Sequence, residues 1–314
     1  MMRVQGTGGL GDRRAVARGV VSAIVHEPVR QAVPIVGKGS VNDIFVVATA
    51  ASRFVVRVND EASHAQFKKE AWCIAQASAA GIPSPQVLDV GTRGGHAYMV
   101  QTYVTGENGA DKSADTTCVW RALGYYARII HGIATDGFGE VLSPDRPGVF
   151  TDTWSRFLTY NIDSLTNDDP LLRLGVMTPT HAQKIGRVFR ELREKPFRFA
   201  LNHGDLALRN TLVERSGTVA LLDWGCAEAH VVPHFDLIEI RRSSLAPTAS
   251  GFAAFLDGYE LSLAEYHTML PDLDSLALLR AFDKLRWALD RKPERVPPFV
   301  RVARQAVQQK LGMH

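Results

Sequence analysis

The spacing of apolar residues divides the chain into two parts, beginning with a small sheet and one long helix. Residues 13–25 have helical spacing, and three runs rich in β-branched residues follow: AVPIVG, NDIFVVATA and RFVVRVN. The short turns between these runs favour antiparallel strands. The stretch from Ser63 to Ala80 predicts a helix that ends at Gly81, and QVLDVGTRGGHAYMVQTYV then predicts a hairpin.

Beyond Gly106 the pattern changes to helical spacing, which dominates from about Thr116 to the C-terminus. One interruption lies around residues 200–225, where the short apolar runs TLVE and TVALLDW are joined by Arg-Ser-Gly and predict a hairpin. The pattern therefore predicts an α+β protein with a smaller lobe, residues 1–103, and a larger, mainly helical lobe, residues 104–314. We place the boundary near 103–106.

The predicted hairpin carries polar residues at its open end. Asp205 and Asn210 precede its first strand in LNHGDLALRNTLV, and Asp223 follows its second strand. Polar groups among apolar neighbours are costly unless they are satisfied or used. Carboxylate and amide oxygens are ligands that Mg²⁺ prefers, and a loop Asp that accepts a hydroxyl proton beside metal-binding Asn and Asp is the arrangement of kinase-type phosphoryl transfer. Each residue is also compatible with simple turn capping, but their combination favours catalysis.

HGDLALRN followed by LLDWG resembles the aminoglycoside phosphotransferase and choline kinase superfamily, whose members are similar to protein kinases. Other segments resemble the family in order and spacing: GKGSVNDIFVV, RFVVRVN, FKKEAWCIAQASAAGIPSPQVLDVG, MVQTYVTGE and YYARIIHGIATDGFGE. The resemblance spans roughly residues 30–290 and is nearest the hygromycin-type branch.

The resemblance implies a bilobal protein-kinase-like fold with ATP between the lobes and Mg²⁺ at the phosphates. It assigns Asp205 as the catalytic base, Asn210 and Asp223 as metal ligands, and Asp236 as a brace for the catalytic loop. The implied nucleotide-binding residues are Arg57 with its partner Glu70, Gly39 and Ser40 of the loop over the nucleotide, and Thr102 and Val104 of the hinge between the lobes. His203 is expected to be a buried structural histidine bonded to the backbone.

Two departures from the family pattern concern positive charge. Arg57 stands where the family often has lysine, although arginine also binds phosphate well. The family's frequent His-Pro-Gly before the loop asparagine is replaced here by Ala207-Leu208-Arg209. Arg209 is therefore a candidate for an additional contact to substrate or phosphate.

The implied acceptor is a small molecule with a hydroxyl group, and an aminoglycoside-like antibiotic is the leading candidate. Its cationic amines would be served by an acidic cleft, for which the sequence offers Asp152, Asp163, Asp168, Asp169, Glu228, Asp257, Glu260 and Asp283. Two alternatives stay open. One is a kinase of a metabolite such as a sugar, amino alcohol or nucleoside-type compound, and the other is a nucleotide-binding pseudoenzyme with a regulatory role.

Composition adds limits to these interpretations. The chain has 314 residues, 46% hydrophobic and 22% charged, and a formal net charge of +3, which is too small a surplus to indicate nucleic-acid binding. The three cysteines are far apart and form no CxxC pair, which favours a reducing cytoplasm. No apolar run approaches the roughly 20 residues of a membrane helix. We expect a cytoplasmic monomer or homodimer that acts without nucleic acid or membrane.

Overall fold

The computed structural model describes residues 9–35, 42–111, 116–242 and 248–312. Its N-terminal part is a five-stranded antiparallel sheet in the order β1-β2-β3-β5-β4. The strands are β1 (Gln31–Pro34), β2 (Asp43–Ala48), β3 (Arg53–Asp60), β4 (Val87–Arg93) and β5 (His96–Thr102). Two helices accompany them, α1 (Leu10–Val25) and α2 (His64–Ala79).

Strand β3 carries an arginine on the face of the sheet that is opposite α1. Phe54, Val56 and Val58 are buried with α1 in one apolar cluster. Because side chains alternate along a strand, Arg57 lies on the opposite face, where its guanidinium is 5.4 Å from the centre of the Phe67 ring of α2. The sheet therefore has an apolar face covered by α1 and a second face on which α2 and Arg57 meet.

The C-terminal part is mainly helical and holds the largest apolar core. Its helices are α3 (Thr117–Ile130), α4 (Trp154–Asp163), α5 (Pro170–Arg173), α6 (Pro179–Glu194), α7 (His234–Arg242), α8 (Ala249–Tyr259), α9 (Leu263–Arg291) and α10 (Val296–Leu311). Glycines allow α3 and α8 to pack closely: a Cβ at Gly124 would lie 2.0 Å from the carbonyl oxygen of Phe255. The same helices meet at Gly258, whose added Cβ would lie 2.0 Å from the carbonyl oxygen of Arg121.

Two small sheets lie within this helical part. One has the order β11-β10-β6, formed by β6 (Glu107–Asn108), β10 (Thr211–Val213) and β11 (Val219–Leu221). The other has the order β8-β7-β12-β9, formed by β7 (Phe138–Leu142), β8 (Phe150–Asp152), β9 (Phe199–Asn202) and β12 (Glu228–Val231). The second sheet corrects the sequence interpretation, which placed mainly helices here. Its strands have three to five residues, too few for a period-two pattern to be recognised.

The structure confirms the predicted bilobal α+β fold, with antiparallel strands first and helices after. The link from β5 to β6 covers residues 103–106, and the lobe boundary that we place there stays a prediction. In the described ranges, no helix combines the length and apolar character that crossing a bilayer would require.

Candidate active site

The open end of the β10–β11 hairpin brings Asn210 and Asp223 together. The two strands pair in register from Thr211 with Leu221. Beyond this pair the backbone N–H of Leu222 donates to the carbonyl oxygen of Asn210 at 2.8 Å. Asp223 follows directly with a φ of +58°, in the left-handed region where Asp is tolerated better than most residues. The adjacency that was expected from the sequence is therefore present.

Asp236 of α7 braces the loop that carries Asp205. Its carboxylate accepts the backbone N–H of Gly204 at 2.7 Å and that of His203 at 3.1 Å. It also faces the Nε2 atom of His131 at 3.0 Å. Burial alone would raise the pKa of Asp236, but the hydrogen bond and charge of His131, with the loop amides, bring it below its ordinary value. Asp236 therefore has the bracing position that the family resemblance implies.

Gly204 is required for the close approach between this loop and the segment after Asp223. Its φ is +75°, and a Cβ there would lie 2.3 Å from the carbonyl oxygen of Cys226. His203 is fully buried, and its Nε2 atom lies 3.1 Å from the carbonyl oxygen of Leu222. Burial lowers the pKa of His203, which disfavours the charged form. The expectation of a buried histidine bonded to the backbone is confirmed.

Asp205 lies on the open side of the loop, with 30% of its side chain exposed. The Nδ2 atom of Asn210 donates to its Oδ2 atom and to its carbonyl oxygen, both at 2.9 Å. The guanidinium of Arg209 donates to the other carboxylate oxygen, Oδ1. Asp205 is therefore an ionisable group that side chains orient and that a ligand can reach.

The N-terminal sheet supplies a buried ion pair to the same site. Arg57 of β3 forms a hydrogen-bonded ion pair with Glu70 of α2, and its Nη2 atom lies 3.9 Å from the Oδ1 atom of Asp223. Glu70 is 1% exposed, and burial raises its pKa while Arg57 opposes this rise. The predicted pairing of Arg57 with Glu70 is present, and it joins the two parts of the site.

Lys69 is a site residue that sequence reasoning missed, because it was grouped with Lys68 on a solvated helix face. It is 3% exposed, and its Nζ atom donates to the carbonyl oxygens of Gly225 at 3.0 Å and Ala227 at 2.7 Å. Gln66 donates to the same Gly225 oxygen at 2.6 Å. Helix α2 is thereby fastened to the segment after Asp223. Two adjacent lysines on a helix gave no signal of this long-range contact.

The oxygen donors of the hairpin fit a magnesium ion that arrives with a nucleotide. Asn210 uses its amide nitrogen to hold Asp205, which leaves its amide oxygen for a metal. The Asp223 side chain is 57% exposed. In the part of the chain that the structure describes, no three His, Cys, Asp or Glu side chains converge as a complete metal cage. Mg²⁺ usually takes one or two protein carboxylates and completes its shell with phosphates and water, so two protein ligands suffice.

The structure tests only part of the remaining predictions for nucleotide-binding residues. Gly39 and Ser40 lie outside the described residues. Thr102 ends β5, and its backbone N–H donates to the carbonyl oxygen of Gln86 at 2.9 Å. An adenine contact to a hinge N–H would therefore fall to Val104, in the link at residues 103–106, and it stays a prediction.

Comparison with known proteins now identifies the family. A family model described as a phosphotransferase enzyme family matches residues 33–279. The chain belongs to this family. No curated protein sequence matches the chain.

Solved structures show which folds resemble this phosphotransferase. A thermostable mutant of aminoglycoside phosphotransferase APH(4)-Ia, in complex with ADP and hygromycin B, has 20% identity over 93% of this chain and 97% of its own, with a TM-score of 0.64. Spectinomycin phosphotransferase APH(9)-Ia, with ADP and spectinomycin, has 13% identity over 95% and 97%, with a TM-score of 0.58. A protein assigned as a fructosamine-3-kinase from Haemophilus somnus has 15% identity over 94% and 96%, with a TM-score of 0.63.

Half of the eight acids proposed for an acceptor cleft form ion pairs elsewhere in this phosphotransferase. Asp169 is buried in a two-point ion pair with Arg286, with both distances at 2.8 Å. Three more acids face arginines on the surface: Asp152 with Arg156, Asp257 with Arg121, and Glu260 with Arg128. Fewer acids are therefore left for an acceptor cleft than the sequence suggested, because these acids form ion pairs with nearby arginines.

Glu228 and Asp283 are the proposed acids that lie in a shared charge cluster. Glu228 is paired in register with Asn202, the residue before the catalytic loop. Burial raises the pKa of Glu228 to about 7, against the opposing charges of Arg280 and Lys284. Burial also raises the pKa of Asp283, and Glu140 adds to this rise. The cluster and the loop of Asp205 share a neighbour, because the charges of Lys284 and Asp205 both act on Cys226, whose pKa burial raises to about 11.

Proposed function

We propose that this phosphotransferase moves the γ-phosphate of ATP to a hydroxyl group of a small molecule. The observation that carries the proposal is the position of Asp205: it is partly exposed and oriented by Asn210, whose backbone is bonded to the residue before Asp223. The Arg57–Glu70 pair reaches the same place from the other lobe. A base, metal-binding oxygens and a phosphate-binding cation in one cleft are the parts that kinase-type phosphoryl transfer requires.

Each residue has one task in the proposed reaction. Asp205 accepts the proton of the acceptor hydroxyl as the hydroxyl oxygen forms a bond to the γ-phosphorus. The bond between that phosphorus and the β–γ bridging oxygen breaks, and ADP leaves. Arg57, held by Glu70, binds phosphate oxygens, and Asn210 and Asp223 hold Mg²⁺, which neutralises phosphate charge when bound. Orientation and charge compensation provide most of the catalysis in such reactions.

The leading candidate for the acceptor is an aminoglycoside-like antibiotic, with resistance in the cytoplasm as the biological role. Two of the structural relatives were solved with the antibiotics hygromycin B and spectinomycin, which supports a hydroxyl-rich acceptor of this kind. Glu228 is paired in register with Asn202, just before the loop of Asp205, and the charge of Glu140 acts on the pKa of both Glu228 and Asp283. These three carboxylates are the candidate partners for ammonium or hydroxyl groups of an acceptor.

A second candidate, a metabolite kinase, is favoured by the cations in the same cluster. Arg280 lies 3.7 Å from Glu228, and Lys284 acts on both Glu228 and Asp283. Each cation offsets a carboxylate, so the cluster is closer to neutral than a polyamine site would require. This balance suits a neutral or zwitterionic acceptor, such as a sugar or an amino alcohol. The fructosamine-3-kinase assignment of one structural relative is consistent with such an acceptor.

A coupled ADP-release assay with Mg-ATP tests these candidates. The panel contains aminoglycosides, hygromycin, spectinomycin, sugars, fructosamines, choline and homoserine, each measured with the parent and with Asp205→Ala. We expect turnover of one acceptor class that the substitution lowers by about 10³-fold. Antibiotic turnover supports resistance, and turnover only of a metabolite supports the second candidate. ATP binding without turnover of any panel member would contradict both and favour the pseudoenzyme.

A further inference from the structure

Arg209 has no assigned role in the reaction above, yet it touches the central carboxylate. It lies in the short 3-10 turn Leu208–Asn210, four residues after Asp205. Its backbone is fixed from a neighbouring strand, because the Nδ2 atom of Asn108 in β6 donates to the Arg209 carbonyl oxygen at 2.9 Å. Its side chain is 41% exposed and donates to Asp205 Oδ1. The guanidinium thus extends from an anchored backbone over the open side of the loop.

The position of the Arg209 guanidinium differs from that of a surface arginine with no part in the reaction. The acceptor hydroxyl must come within hydrogen-bond reach of the Asp205 carboxylate for proton transfer, about 2.6–3.2 Å between heavy atoms. The attacked phosphorus must be about 3–3.5 Å from that hydroxyl oxygen. A guanidinium that contacts the same carboxylate is therefore only a few ångströms from the oxygens of the transferring phosphoryl group.

The bonding around Asp205 allows Arg209 to change partners. Asn210 holds the Oδ2 atom from a buried position, so the carboxylate stays oriented when Oδ1 is released. A partly exposed arginine–aspartate pair is weak, so a doubly charged phosphoryl group can outcompete it. Arginine also presents parallel N–H donors that match phosphate oxygens. Arg57 cannot take this task as freely, because it is committed to Glu70.

We propose that Arg209 is a catalytic residue that holds Asp205 in the free protein and donates to the γ-phosphoryl group when nucleotide is bound. The proposal rests on the phosphotransfer function proposed above. Arg209 transfers no proton in this role. It contributes hydrogen bonds and positive charge to the three phosphoryl oxygens, while Asp205 is freed to accept the hydroxyl proton.

Calorimetric titration with Mg-ADP and Mg-AMP-PNP tests the proposal without any acceptor, since only AMP-PNP carries a γ-phosphoryl group. We expect Arg209→Ala to leave the ADP affinity within about twofold of the parent and to weaken AMP-PNP by about 10-fold or more. Arg209→Lys should restore part of the difference. Arg121→Ala is the matched control, since Arg121 forms an exposed pair with Asp257 at 2.7 Å on the surface. It should leave both affinities unchanged.

Kinetics with the acceptor that the parent turns over provide a second measurement. Arg209→Ala should lower kcat by about 10²-fold or more, in the direction of other arginines that contact a transferring phosphoryl group. Added guanidinium ion should restore part of this loss. An unchanged ratio of AMP-PNP to ADP affinity, or a kcat within about threefold of the parent, would overturn the role of Arg209 alone. A parent that binds neither nucleotide would overturn the proposed function and this inference with it.

Discussion

Two aspartates at the same loop, Asp236 and Asp205, have opposite surroundings. Asp236 is 1% exposed, and its carboxylate accepts two backbone N–H groups and faces His131. Asp205 is 30% exposed, and side chains alone, from Asn210 and Arg209, contact its carboxylate. The Asp236 carboxylate makes its contacts within the protein, whereas the Asp205 carboxylate is oriented by the protein and accessible to a ligand.

The difference teaches how one short loop combines rigidity with reactivity. Buried polar groups that lose a partner are expensive, so the bonds of Asp236 fix the backbone of His203 and Gly204. A partly exposed pair is weak, so the proposed role requires little energy for Asp205 to exchange a protein partner for a substrate. Substitutions at the two positions should therefore separate stability from chemistry.

The largest effect on stability is expected from Asp236→Ala. The substitution leaves two buried N–H groups and His131 without their acceptor, and breaking such a network costs about 3–5 kcal/mol. Urea unfolding followed by circular dichroism measures the loss. Asp205→Ala serves as the control and should change the free energy of unfolding by about 1 kcal/mol or less. Equal losses for the two variants would contradict the distinction between the aspartates.

A smaller effect, on nucleotide affinity, is expected from Glu70→Gln. Glutamine keeps the shape of the Glu70 side chain but removes the negative charge from a buried ion pair, so the variant should also lose some stability. Arg57 loses its charged partner, and the affinity for Mg-ADP should fall by about 10-fold, as expected for the loss of one charge-assisted contact. Calorimetric titration measures the change.

Asp169→Asn is the matched comparison for this prediction. Asp169 and Arg286 form another buried arginine–carboxylate pair, and the Asp169 side chain also accepts the backbone N–H of Leu171 at the start of α5. This pair joins the start of α5 to α9, so the variant should lose stability while its Mg-ADP affinity stays within about twofold of the parent. A similar loss of affinity in both variants would show that the Glu70 effect is only structural.

The smallest predicted effect is a change in the pH dependence of stability in Glu228→Gln. Burial raises the pKa of Glu228 from 4.5 to about 7, so between these values the folded state binds a proton that the unfolded state has lost. Stability contributed by this group is complete below pH 4.5 and is lost as the pH rises through about 7. Thermal unfolding of both proteins should show the glutamine variant gaining relative to the parent across this window. A constant difference across it would contradict the raised pKa.

Most of the correct predictions from the sequence came from local patterns of residues. The β10–β11 hairpin, the helix before Gly81 and the positions of Asp205, Asn210 and Asp223 follow from short-range alternation, turn residues and fixed spacing. The resemblance to a known family added the Arg57–Glu70 pair, which no local pattern specifies. These predictions concern contacts that recur within one element or one motif.

Contacts between residues far apart along the chain could not be predicted from the sequence. Lys69 lies beside Lys68 in a run that suggests solvent, but the fold brings it to carbonyl groups more than 150 residues away. The β8-β7-β12-β9 sheet uses strands too short for their pattern to be distinctive. Asp169 was one of many acids on helices until the structure placed it against Arg286. In each case the outcome depends on which surfaces the chain buries together.

Direct detection of the product with Asp205→Asn tests the central claim most sharply. The acceptor identified in the ADP-release panel is incubated with Mg-ATP and the parent or the variant, and mass spectrometry measures the acceptor with one added phosphoryl group. Asparagine keeps the shape of the side chain but cannot accept the hydroxyl proton. We predict product from the parent, at least about 10³-fold slower product formation from the variant, and equal Mg-ADP affinity for both. Product formed at comparable rates by both proteins would contradict the role of Asp205 as the catalytic base.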